Sequence, residues 1–446
     1  MKLLPLALIS LLFFIFSIPG TNALRYLLAV ILLVFSIYNC YSIGFDKVRI
    51  ILSNKYSRGF FLGLLILTVY ILVHSIFISH EMYWSLKEFK GHWLTPVLFL
   101  FLGILLAIIS QRKTLFTPRS LITAIFLGMF AHILYIDYAA LKILYTSDTM
   151  ISRYGGLTGS PVLANYLTNI LIALTFAELI SRHRINVRTL QFSNFFLIII
   201  LFVLLFSQVD EGIRHGVISL LFSVMAAIYF YYYQNKRHPK KTKIFTSIAI
   251  FLLIIIPLIY SFKFDNRWAT LIQTIPIALD TETNKYWQDR SQKIPKLPDG
   301  RQVSESNYMR MAWIYKGLEY ITKTPIGLGF GRNAFGHSIQ LNEGLDSARG
   351  MHSHSSIIDL TLGIGVLGLI LWLVILWYLL TLFLKFFIKS PNFYSISGFM
   401  LISGFFFRSL VDSNMRDHIF QQFFLLLGVI IVLLLYEKLT RKNESS

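Results

Sequence analysis

Cysteine is nearly absent: Cys40 is the only one in 446 residues, which excludes an intramolecular disulfide and a cysteine-based metal cluster. Its position within an apolar run suits a small packing residue. Charge is scarce too, at 14% of the chain, and acidic residues number 22 against 41 basic ones. A chain so poor in charge, 55% hydrophobic and with mean hydropathy +0.64, falls outside the soluble class. Internal repeats, low-complexity linkers and an appended soluble catalytic domain are also missing. The first apolar segment, near 3–18, has no small-x-small cleavage site before "PGTNALRY" and reads as a retained span. The net charge of +19 raises nucleic acid as a partner, but its distribution argues against that. Much of the Lys and Arg lies in short loops between apolar runs, where it reports topology.

What is present is a succession of apolar runs, each long enough to cross a bilayer as a helix. They divide into twelve, near 3–19, 23–44, 59–79, 94–110, 121–144, 161–181, 192–208, 217–234, 244–264, 356–384, 395–411 and 419–436. Alternate loops are basic, as at Lys47, Arg49, Lys55 and Arg58, or at Arg182, Arg184 and Arg188. The positive-inside rule assigns these loops and both termini to the cytoplasm, as an even number of spans requires. The expected fold is therefore an all-α polytopic membrane protein of about twelve transmembrane helices. Spans one to nine occupy 1–264, a large non-cytoplasmic loop 265–355, and the last three spans with a cytoplasmic tail 356–446. Within the loop, "NYMRMAWIYKGLEYITKTP" sets Met311, Ile314, Leu318 and Ile321 at helical spacing and ends at Pro325.

Ionisable residues gather on the side of the large loop, among them Arg153, Arg214, Arg310, His352, His354, Asp359, Arg408 and Asp412. Few fall at span centres, where an ion-coupled transporter would hold pairs; His74, His132 and Asp137 are the exceptions. The balance favours an enzyme working at the outer membrane surface. His352 and His354 stand two apart, a spacing that does not bring both to one helix face as a zinc site on a helix requires. A neutral imidazole there suits a general base toward a hydroxyl. It equally suits an interfacial histidine bonded to a helix N-terminus, and spacing does not decide between them. Gly365 and Gly368, three apart, share a face of a regular helix and would admit a close neighbour.

Arg214 lies in a short turn between spans, and Arg310 opens the loop helix; a guanidinium fork suits phosphate oxygens. After that helix, Gly327, Gly329 and Gly331 fit a tight turn with exposed N–H groups. Without a preceding strand they do not make a dinucleotide site. Arg153 opens a Gly-rich turn before a span, and Arg408 and Asp412, four apart, fit an intrahelical ion pair. For each arginine alone a solvated role is the plainer reading. Their shared side with the histidines favours function.

The stretch "HSSIIDLTLGIGVLG" is His354-Ser355, nine residues, then Gly365-x-x-Gly368. It resembles the H-[NSQ]-x9-G-x-x-G signature of bacterial O-antigen ligases, within the superfamily of O-antigen ligases, polymerases and O-oligosaccharyltransferases. "RHGVI" resembles the R-x3-L motif, from Arg214, with Ile218 in place of Leu. "RMAWIYKGLEYITKTPIGLGFG" resembles the Arg-x-x-Trp…Pro-x-Gly-x-Gly stretch at Arg310, Trp313, Pro325, Gly327 and Gly329. The resemblance implies a metal-independent, inverting glycosyltransferase of GT-C-like architecture in the bacterial inner membrane, without a cofactor, its site periplasmic. The donor would be an undecaprenyl-diphosphate-linked glycan and the acceptor a lipid A–core hydroxyl, in contact with membrane lipids and no nucleic acid. It assigns His354 to the acceptor and Arg214 and Arg310 to the donor diphosphate. Ser355, Gly365 and Gly368 complete the motif, with Arg153, His352, Arg408 and Asp412 as supporting candidates. An O-antigen polymerase using the same donor is the alternative, and a lipid-linked glycan flippase or transporter a third reading.

Overall fold

At membrane depth each backbone N–H and C=O must be satisfied within its own segment, so uncharged apolar runs fold as helices. The computed structural model describes residues 3–43, 46–112, 115–147, 153–234 and 267–444, with isolated positions 255, 259, 262 and 263. The helices, in chain order, begin with α1 Leu3–Ile15, α2 Asn22–Ile43, α3 Asp46–Ser53, α4 Arg58–Phe77, α5 Met82–Phe89 and α6 Thr95–Ile109. They continue with α7 Pro118–Ser147, α8 Pro161–Ile185, α9 Asn194–Glu211, α10 Arg214–Gln234 and α11 Leu271–Leu279. The last five are α12 Glu305–Lys323, α13 Ala334–Glu343, α14 Ser356–Lys389, α15 Phe393–Ser409 and α16 Asp417–Glu444. Among the described residues the only strand-like pairing is an isolated bridge between Lys296 and Gln302.

Among the described residues, eight segments are long and apolar enough to cross a membrane: α2, α4, the continuous Met82–Ile109, α7, α8, α9, α14 and α16. At 13 residues α1 is shorter than a full crossing needs. Helices α10 and α15 stand at two further expected positions but are not among the eight. The expected span at 244–264 lies outside the described residues, save isolated positions. The stretch 80–93, expected as a loop, is helical from Met82 and joins α6 through a π-helical turn at Lys90–Leu94. Lys87, Glu88 and Lys90 mask its apolar side, yet Ser85, Phe89 and Trp93, four apart, are all buried.

The bundle is organised around α16, in which every residue from Ile419 to Leu435 is buried. It lies against α6 with the two backbones touching. A Cβ at Gly103 would strike the Leu425 carbonyl, and one at Gly428 the Leu100 carbonyl. Residues 267–355 form a cap with its own apolar core of Trp287, Tyr308, Trp313 and Phe335. That core takes in Ile358 and Leu362 from the first turns of α14. Further along the same helix, Trp372, Leu379 and Phe383 belong to the membrane core.

Between these two halves α14 breaks, with non-helical angles at Ile364 and at Gly365 (φ 74°, ψ 175°). Only glycine occupies that region at ease. Gly365 and Gly368 therefore do not share a face of one regular helix, and the expected helix-on-helix contact is replaced by a backbone junction. The carbonyls of Leu362 and Gly363 accept the N–H groups of Leu328 and Gly329 at 2.8 Å each, and Val366 N–H donates to the Pro325 carbonyl at 2.9 Å. Ile364 and Ile326 carbonyls are held by the Tyr70 hydroxyl and by His74 Nε2, at 2.8 and 2.7 Å. A Cβ on Gly365 would collide with the Ile326 and Pro325 carbonyls. Gly365→Ala should therefore lower the thermal midpoint in detergent, with roughly 1–3 kcal/mol lost to backbone strain before any collision. Gly91→Ala, whose Cβ meets open space, should leave it unchanged. Equal midpoints for the two variants would contradict this account of the junction.

Candidate active site

Helix α12 supplies two of the expected residues from one face, because Arg310 and Trp313 are three apart. Trp313 is buried and its indole N–H donates to the Trp287 carbonyl at 2.8 Å, so the ring is fixed. The His354 imidazole lies flat on it, centroids 5.2 Å apart and planes 17° from parallel. His354 itself is half-buried, with φ at +56°. That left-handed backbone is uncommon for any residue but glycine and must be held by its surroundings.

The next residue caps α14: the Ser355 hydroxyl accepts from Ile358 N–H at 3.4 Å and donates to the Ser409 carbonyl at 3.3 Å. Capping is thus the task of Ser355. His352 packs edge-on against His354, centroids 4.2 Å apart, and its Nδ1 accepts the His354 N–H at 3.3 Å. Burial, with Arg416 and His354 adding to it, pushes the His352 imidazole down to about 3, so it is neutral at any physiological pH.

Arg214, at the first position of α10, donates to Asn307 Oδ1 at 2.6 Å and lies over the Trp268 ring at 5.4 Å. Asn307 in turn donates to the Arg267 carbonyl at 2.7 Å, and the Arg267 guanidinium reaches the Gly212 carbonyl at 3.1 Å. Burial pushes the Arg310 guanidinium down from its ordinary value; Asp412 opposes this, while Arg267, Arg153 and Arg408 add to it. A guanidinium keeps its proton regardless, so the sum is a concentrated positive potential that an anion would relieve. Arg214, Arg310 and His354 line one cavity of about 220 Å³ whose other walls include Trp268, Met311 and Ile314. Its chemistry is two cations and an imidazole on an otherwise largely apolar surface.

The supporting candidates separate. Arg153 is exposed, has φ at +49°, and its N–H donates to the Asp210 carbonyl at 3.1 Å. It contributes charge near Arg310 without lining the cavity. Arg408 is 1% exposed and bonds Asp412 at 3.0 Å, Asn165 Oδ1 at 3.3 Å and the Val162 carbonyl at 2.7 Å. Asn165 also donates to Glu211 at 2.8 Å, which ties α15 to α8 and α9. The pair anticipated from the four-residue spacing is present, embedded in a buried lattice. Gly327, Gly329 and the intervening Leu328 do not offer free N–H groups; these are spent on Thr324, Gly363 and Leu362 carbonyls.

Sequence reasoning missed Arg267, Asn307 and Trp268, single polar-loop residues with no periodic or motif signal. It also missed Ser413, which joins His352 only through the tertiary fold.

Two arginines and an imidazole thus open onto one largely apolar cleft in a protein rich in helices long and apolar enough to cross a membrane. Residues 195–373 match the family model described as O-antigen ligase, and that stretch is similar to the O-antigen ligase superfamily. Members are glycosyltransferase-like enzymes acting on lipid-linked glycans. The match contains Arg214, Arg267, Arg310, His352, His354 and Gly365. No curated protein matches the chain. Removing one partner of the buried Arg408–Asp412 pair should cost about 3–5 kcal/mol. Arg408→Ala should therefore lower yield and thermal midpoint well beyond Arg310→Ala. A stable Arg408→Ala protein that has lost only its lipid ligand would contradict the structural role.

Proposed function

We propose that the protein is an O-antigen ligase at the periplasmic face of the bacterial inner membrane, with both termini cytoplasmic and a GT-C-like architecture. It transfers a glycan from undecaprenyl diphosphate to a sugar hydroxyl of lipid A–core. The observation that carries this reading is the opening of His354, Arg214 and Arg310 onto one cavity with apolar walls. In the reaction His354 takes the proton of the acceptor hydroxyl as the new bond forms between its oxygen and the donor anomeric carbon. The bond from that carbon to the diphosphate oxygen breaks on the opposite side, which inverts the centre. Undecaprenyl diphosphate departs with the electron pair, its charge held by Arg214 and Arg310. The donor already carries the activated bond, so no nucleotide is consumed, and the two guanidinium groups serve in place of a metal. The apolar walls suit the prenyl chain and the acceptor lipid. The His-Ser-x9-Gly-x-x-Gly spacing favours ligase over polymerase.

Deleting the gene should leave bare core together with long undecaprenyl-linked chains. Core capped by one repeat would indicate a polymerase instead, and single repeats trapped in the cytoplasm a flippase. In a purified transfer assay, His354→Ala should slow turnover by about 10²–10⁴-fold with normal insertion. Arg214→Ala and Arg310→Ala should each weaken binding of undecaprenyl diphosphate. Full transfer by His354→Ala would sink the base assignment, and unchanged diphosphate binding by both arginine variants would sink theirs.

A further inference from the structure

Beside His354, three polar side chains, His352, Asp359 and Ser413, converge. The Ser413 hydroxyl lies 3.1 Å from His352 Nδ1 and 3.1 Å from Asp359 Oδ2. The other Asp359 oxygen accepts the Ser353 N–H at 3.0 Å. Asp359 and Ser413 are 6% and 4% exposed, so little water competes for these bonds. Taking the proposed role of His354 as its basis, we infer that Asp359, Ser413 and His352 are positioning residues for this imidazole. They fix the left-handed backbone of His354 by presenting an unprotonated His352 Nδ1 to its N–H.

Four consecutive backbone N–H groups around the histidine are engaged: Ser353 to Asp359, His354 to His352 Nδ1, Ser355 to Ser353 Oγ, and Ser356 to the Asp412 carbonyl. A backbone N–H can only donate, so His352 Nδ1 must accept, and the neutral ring carries its proton on Nε2. The His354 N–H then points at Nδ1, and the single Ser413 O–H proton serves one of its two acceptor neighbours at a time, His352 Nδ1 or Asp359 Oδ2, which links the two. A proton added at Nδ1 would convert the acceptor into a donor and release His354. The groups facing His352 are Arg416, Arg332, His354 and Asp412, so the cations around it oppose that protonation. With φ at +56°, His354 has no intrinsic preference for its conformation. Lost anchoring would let the ring leave Trp313 and the arginine cavity.

The test uses the full-length protein with an undecaprenyl-diphosphate-linked glycan as donor. His352→Ala should lower kcat by about 10²-fold while the donor KM and undecaprenyl diphosphate binding stay near wild type. His352→Asn, which offers an amide oxygen near the Nδ1 position, should recover most of the loss. His352→Lys, which has no acceptor, should recover none. Asp359→Ala should lower kcat in the same way and add little to His352→Ala. Nitrogen NMR of labelled histidine should find His352 Nδ1 unprotonated at neutral pH. Wild-type kcat in His352→Ala, equal loss in the Asn and Lys variants, or a protonated Nδ1 would each overturn the inference. His354→Ala separates this from the base assignment: if it retains turnover, the base reading fails, and the NMR result alone decides whether His352 holds that backbone.

Discussion

The structure depends on one broken helix. Backbone groups freed inside a membrane-spanning segment must find partners, and α14 gives up its regular bonding at Ile364 and Gly365. The cap supplies those partners from its own chain, through Pro325, Leu328 and Gly329. This junction does two things together. It satisfies the break, and it fixes the end of α12 against α14. Because α12 carries Arg310 and Trp313 on one face, anchoring it also sets the distance from the tryptophan ring to His354. The glycine at the break thus bears on the candidate site through geometry.

Electrostatics add the second layer. Several arginines approach one another near Arg310, an arrangement that costs free energy unless a negative charge offsets it. Asp412 offsets part of it, but the structure commits that carboxylate to Arg408 at 3.0 Å. Arg214, steadied by Asn307 and by the Trp268 ring, leans toward the same cavity as Arg310. On the proposed reading such a site is organised before its ligand arrives, where electrostatic stabilisation of a leaving diphosphate would gain most.

Much of this was legible in the sequence, and what was not has physical reasons. Apolar runs located the helices closely: 161–181 became Pro161–Ile185, and the loop helix around Asn307 became Glu305–Lys323. The extra helix from Met82 was hidden because Lys87, Glu88 and Lys90 interrupt its apolar side. The two glycines of the motif read naturally as one helix face, because three-residue spacing carries no sign of a positive φ. His354 and His352 were found together, yet their division of labour was not. It turns on Ser413, which meets His352 only where the chain returns after α15. Arg267 carries no pattern, and Asn307, though it opens a helically spaced stretch, has no motif to mark its side chain as a partner of Arg214.

The central claim is that His354, Arg214 and Arg310 act on one substrate in one cavity. A structure of the protein with undecaprenyl diphosphate bound tests it most directly. The account predicts the two phosphates within hydrogen-bond distance of Arg214 and Arg310, with the imidazole of His354 facing the same cavity from Trp313. A diphosphate bound elsewhere, for example in the cavity of about 300 Å³ beside His80, Trp84 and His337, would contradict it.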